Sequence, residues 1–243
     1  MDDFDKILEQ LKDSSGELKH NFHVLEEIIP IEEQMRYFNY SKRVRASREY
    51  VDKDYLMARL FSPDSDMEDR RYCLVMLSGI IDIGAYRAIE TFHSSPLNEE
   101  LRHWSAMALV ESRILIDSDL SGEQQVLVST GLGGINNSLR FFSIAASKDR
   151  SDFNELQREI IDREFRFGLD HNQIVTEEFV IRGNYARLML LSDLKHDLRS
   201  IIAEIIRECN EFGDFMDEKF MLTNVKTFDD NEIERLLTKK PDL

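Results

Sequence analysis

Glu17, His20, His23 and Glu27 bring two carboxylates and two imidazoles together at helical spacing. On a helix all four would share one face, and carboxylate with imidazole is the donor set of zinc sites and of carboxylate-bridged metal pairs. The Glu17-x-x-His20 spacing recurs as Glu100-x-x-His103 and Asp193-x-x-His196. A bridged metal pair needs two further glutamates on facing helices, and 47 acidic residues with six histidines produce such spacings by chance. The set therefore reads as a solvated or ion-paired face, with no metal and no cofactor expected.

A second candidate is the loop Gly131-Leu132-Gly133-Gly134-Ile135-Asn136. A dinucleotide cradle requires G-x-G-x-x-G between a strand and a helix, so that backbone N–H groups and the helix dipole meet the pyrophosphate. Here Asn136 stands at the third position and a strand-like segment follows, so the glycines read as a hairpin connection. The sequence has no G-x-x-x-x-G-K-[ST] and no G-x-S-x-G, which removes P-loop phosphate binding and the nucleophile-elbow hydrolases. His93 and His171 sit beside turns and read as satisfied loop histidines. Cys73 and Cys209 lie in apolar surroundings, where a free thiol acts as a small hydrophobe.

Charge narrows the partners. The formal net charge is −16, with 24 acidic and 15 basic residues in 1–120 and 23 and 16 in the rest. Such a field repels phosphate backbones and anionic lipid, so neither nucleic acid nor membrane is expected as a partner. Lys42, Arg43, Arg45 and Arg48 form a local basic island that could contact an anionic partner or be neutralised by neighbouring acids. The acidic start, Met1-Asp2-Asp3, lacks the apolar stretch of a signal peptide, and no uncharged run approaches the ~18 residues of a membrane span. A cytoplasmic protein is the expectation, consistent with two unpaired cysteines.

The elements that would position these residues differ between the halves. Apolar spacing predicts helices over 3–12 and from Glu17 to Ile29, the latter ended by Pro30, and Ile31 to Phe61 is helix-compatible. An internal repeat follows: Arg70-Arg71-Tyr72-Cys73-Leu74 matches Arg102-His103-Trp104-Ser105-Ala106 at an offset of 32. Each copy follows a Ser-Pro break, Ser62-Pro63 and Ser95-Pro96, and an upstream helical segment. The unit is helix, Pro-marked turn, helix, with Trp104 and Tyr72 at one packing position.

Over residues 53–118 this spacing resembles a HEAT-type helical repeat, in which a turn residue and an Arg precede an Ala-rich second helix. The period is shorter than the 40–47 residues of that class, and two units are clear where three or more are usual. The resemblance implies an α-solenoid-like scaffold that binds other proteins.

Beyond residue 120 the texture changes. Gln124 to Thr130 and Leu139 to Ala145 read as a hairpin, Asp152 to Phe167 as a helix stopped by Gly168, and Glu159-Ile160-Ile161 with Phe167-Gly168 recurs 45 residues on as Glu204-Ile205-Ile206 with Phe212-Gly213. A duplicated ββα unit (122–168 and 174–213) follows from this, with a terminal strand, Lys219 to Val225, and helix, Asp230 to Leu237. The fold class is α+β: an all-helical, HEAT-like domain over 1–120, then an antiparallel sheet with helices over 121–243. Strand candidates 139–145 and 188–191 are apolar on both alternations, so both sheet faces should be covered, the second by the N-terminal layer or another subunit. The function expected is protein interaction, regulation or scaffolding without catalysis, with a protein partner or homo-oligomer. The alternative is a small-molecule or catalytic pocket between the domains near Gly131, Gly133, Gly134 and Asn136.

Overall fold

The computed structural model describes residues 22–47 and 51–238. The chain divides into two compact units, Met1–Thr130 and Gly131–Leu243. The helix expected over 3–12, together with Glu17, His20 and Arg48, lies outside the described residues.

Among the described residues the first unit begins with a strand where a helix was expected. β1 (Phe22–Val24) alternates buried, intermediate, buried, and it pairs in parallel with β2 (Val126–Val128). Pro30 begins the next helix instead of ending the previous one, because its fixed φ suits the entry to α1 (Ile31–Ala46). Since β2 is spent on β1, the segment 124–130 is not the first strand of a hairpin with residues 139–145. The boundary between the units accordingly falls after residue 130, ten residues beyond the expected one.

Two helical hairpins follow, α2 (Lys53–Phe61) with α3 (Met67–Ser78) and α4 (Ile83–Ser94) with α5 (Glu99–Ser121). Asp52, Asp66, Asp82 and Asn98 each accept a backbone N–H at one of these helix starts, and α5 ends at Gly122 in the left-handed region. Each such cap is worth about 1 kcal/mol. Arg70 is buried and donates to the carbonyls of Ser62, Ser65 and Asp66, which ties the α2–α3 turn to α3. Leu56, Leu60, Leu74, Leu77, Ile89 and Leu101 form the centre of the core. Trp104 closes it against the rings of Tyr37 and Tyr40, edge to face at 5.4 and 5.2 Å.

A polar cluster fixes α1 on this core. Arg45 donates to both oxygens of Glu111, at 2.6 and 3.0 Å, and to the Val75 carbonyl at 2.6 Å. Tyr37 and Ser78 add their hydroxyls to the same carboxylate at 2.7 and 2.9 Å. Burial, with Glu111 alongside, holds the Tyr37 phenol well above its ordinary pKa, so it remains a donor.

The second unit is a five-stranded antiparallel sheet with helices. In chain order it comprises β3 (Gly134–Ile135), β4 (Ser138–Ala146), α6 (Glu155–His171), β5 (Val175–Arg182), β6 (Tyr185–Asp193), α7 (Leu198–Asn210), β7 (Met221–Thr223) and α8 (Asp230–Thr238). β4 lies beside β6 and β6 beside β5, while β3 and β7 share the other edge of β4. From β4 to β7 the order βαββαβ, with the two halves interleaved in the sheet, is the split βαβ or ferredoxin-like arrangement. The α+β class follows directly; the second expected hairpin is present as β5–β6, while the first is replaced by the pairing of β4 with β6 and of residues 126–128 with β1.

Both faces of the central strands are covered, as their double alternation requires. Phe165 of α6 meets the ring of Phe179, the residue facing Leu188 across β5 and β6, so α6 lies on that face. On the opposite face Phe142, Ile144, Ala146 and Tyr185 pack with Met189, Met221, Phe228, Ile233 and Leu237. Here the cover is α8 and the segment leading to it, both from the same unit.

Gly168 also departs from expectation. It lies inside α6, which continues to His171, and a Cβ there would fall on the side chain of Ile205 in α7. The glycine is thus a close-approach residue between two helices, not a stop. Gly168→Ala should lower stability by about 1 kcal/mol in urea denaturation, because overpacking outweighs the ~1 kcal/mol propensity gain of alanine. A more stable variant would contradict this assignment.

Candidate functional site

The strongest grouping of chemically capable side chains joins three separated parts of the first unit. Glu27, on the β1–α1 connection, accepts from His93 Nε2 at 2.7 Å and lies 3.5 Å from Arg102 Nε. His93, in the last turn of α4, has its other nitrogen 2.8 Å from the hydroxyl of Ser105 on α5. Acid, imidazole and hydroxyl are in line.

The order resembles a nucleophile relay, yet the geometry does not present one. Ser105 is fully buried, and its hydroxyl has one hydrogen and two acceptors in reach, His93 Nδ1 and the Arg102 carbonyl at 2.9 Å. If the hydrogen goes to Nδ1, a neutral imidazole donates through Nε2 to Glu27. If it goes to the carbonyl, Nδ1 must carry its own hydrogen, and the resulting imidazolium neutralises Glu27. Both states satisfy every partner without moving a heavy atom. Ser105 has no solvent path to a substrate.

The hydrogen bond from His93, aided by Arg102, holds the Glu27 carboxyl below its usual range. Beside it lies a cavity of about 600 Å³, lined by Glu27 and Ile28 on one side and by Pro96, Asn98, Glu99, Arg102 and His103 on the other. Its lining is apolar in part, with Pro96 and with Ile28, which is 56% exposed.

Comparison of the two hairpins explains how these residues become available. Arg102 and His103 occupy the positions of Arg70 and Arg71 in the sequence repeat. Arg70 is consumed by its own turn, and Arg71 stacks over Trp104 and pairs with Glu68 and Glu100. Arg102 and His103 instead line the cavity. In the second copy Arg102 is 60% exposed, whereas His103 reaches the cavity from a mostly buried position.

The other sequence candidates are placed as follows. His23 lies on β1, 3.5 Å from Asp117, so it shares no helix face with Glu27. Among the described residues no group of three or more His, Cys, Asp or Glu is positioned to hold a metal ion. The basic island is not one surface: Arg45 points inward to Glu111, Arg43 lies over the Tyr40 ring at 5.1 Å, and Lys42 is exposed. The glycine loop is structural. The backbone at Gly131 lies so close to the Val225 carbonyl that no Cβ would fit, Gly133 and Asn136 have positive φ, and Gly134 pairs with Leu139. Burial raises the Cys73 thiol to about 11 and Cys209 to about 12, which leaves neither as a thiolate near neutrality. Glu27, His93 and Ser105 share no motif, so their grouping had no sequence signal beyond the turn position of His93.

No family model and no curated protein matches the chain. Among solved structures, one described as a "putative transposase" from Deinococcus radiodurans R1 is similar over 41% of this chain and 86% of its own, at 13% identity and a TM-score of 0.34. A likeness at that score carries no argument about fold or function. No helix among the described residues is long and apolar enough to cross a membrane.

The depressed Glu27 makes a pH prediction. A carboxylate whose folded pKa is below its unfolded value adds stability that is complete above about 4.5 and is lost as pH falls through the folded value. Glu27→Gln should therefore be less stable than wild type near neutrality, and the difference in urea midpoint should close on acidification below 4.5. A difference independent of pH would show that the ionised carboxylate is not what stabilises this contact.

Proposed function

We propose that the protein is a cytoplasmic interaction or regulatory protein, not an enzyme, and that its helical unit receives a protein partner at the cavity between the β1–α1 connection and the α4–α5 turn. The two hairpins resemble HEAT-type repeats, whose members commonly act as scaffolds. The observation that carries the reading is the divergence of Arg102 and His103 from Arg70 and Arg71: in one repeat the polar pair serves the fold, and in the other it lines a cavity beside exposed Ile28. Apolar lining residues with a few fixed charges suit a peptide segment better than a polyanion. The burial of Ser105 and the ion pairing of Glu27 support binding over catalysis.

A small-molecule ligand is the second reading, favoured by the cavity volume of about 600 Å³, which falls in the range of metabolite pockets.

The two readings separate on one variant. Arg102→Glu, in a 60% exposed side chain, should leave the circular dichroism spectrum unchanged and reduce recovery of a specific protein partner from lysate at least tenfold. Equal recovery by both proteins, or none by wild type, would count against the partner site. A metabolite that raises the Tm of wild type but not of Arg102→Glu would establish the second reading.

A further inference from the structure

We infer that α8 is a detachable strap over the outer face of the sheet, with Asp230 as its latch. The inference concerns the second unit alone and is independent of the cavity reading. Asp230, the first residue of α8, takes the Tyr185 hydroxyl at 2.7 Å, Arg187 at 3.1 Å and Arg182 on its other oxygen. Two guanidiniums and a phenol around one carboxylate form a complete anion receptor, which the chain fills with its own side chain.

What the strap covers and how it is built both support release as a unit. Beneath it Phe142, Ile144 and Ala146 of β4 are almost fully buried, together with Tyr185, next to Met189 and Met221. In α8 itself only Ile233 is buried, while Leu236 is 40% exposed. The helix carries its own start: Asp229 and Glu232 exchange backbone and side-chain hydrogen bonds in a capping box, and Lys226 pairs with Glu232. The sheet has separate support, because α6 packs on the opposite face. Opening would uncover an apolar strip flanked by Arg182 and Arg187, the seat of an amphipathic helix with an acid at its first turn.

Hydrogen exchange on the full chain tests this by mass spectrometry. In wild type, amides of α8 should exchange at least tenfold faster than those of α6 and α7, with a weaker dependence on urea, as expected of a sub-global opening. Asp230→Asn should accelerate α8 by roughly a further tenfold, the size of one charge-assisted hydrogen bond, and leave α6 and α7 unchanged. Arg182→Gln, whose side chain is 65% exposed, should act in the same direction without endangering the fold. Exchange of α8 at the rate and urea dependence of α6 and α7 would overturn the strap, since α8 would then unfold only with the whole unit. An unaltered α8 in both variants would overturn the latch.

Discussion

One carboxylate organises the helical unit. Glu111 collects hydrogen bonds from Arg45, Tyr37 and Ser78, and so joins α1, α3 and α5 at a single point. The two ions are partly buried, with 30% of the Arg45 and 21% of the Glu111 side chain exposed, and the added hydrogen bonds offset the water each has lost. Space for the guanidinium is made by Gly79, where a Cβ would stand 3.0 Å from Arg45 Nε. With α1 held in this way, the connection before it carries Glu27 to the α4–α5 turn, within reach of His93 and Arg102. The Glu27 contacts thus lie on a connection whose following helix is anchored by the Arg45–Glu111 ion pair.

The acidic composition takes on a different meaning once its members are located. Asp52, Asp66, Asp82, Asp197 and Asp229 terminate helices, and Glu111 and Asp230 each neutralise arginines brought from elsewhere in their unit. Part of the acidic composition is thus structural chemistry at helix starts and pairing points. The basic island undergoes the same revision, since Arg45 faces the core.

What could be read from the chain was set by the range of the forces involved. The helical hairpins, the α6 and α7 periodicities and the Asp-capped tail helix are local, and their spacing was visible in residues such as Leu56, Leu60, Ile160, Phe165 and Ile233. Doubly apolar strands correctly required two covered faces, yet only tertiary structure could name α8 as the second cover. Phe22–Val24 carried a helical spacing and became a strand because Val126–Val128 is its neighbour in space, a non-local pairing that overrides propensity. Gly168 was misread for a related reason: whether a glycine ends a helix or admits a partner depends on what lies opposite, here Ile205. The Glu27, His93, Ser105 grouping draws on three segments, and spacing within one segment contains no information about it.

The parallel pairing of β1 with β2 has a consequence for synthesis. Leu25 donates to the Val128 carbonyl at 2.9 Å, and the Gln34 side chain reaches the carbonyl of Thr130, so the opening of the first unit is completed by its final residues. Helical hairpins made of neighbouring segments can form as the chain leaves the ribosome, but residues 22–24 must wait for residues 126–128. Until then Phe22 and Val24, both buried in the finished unit, remain open to solvent. The β1–β2 ladder can therefore close only after every described helix of the first unit has been synthesised.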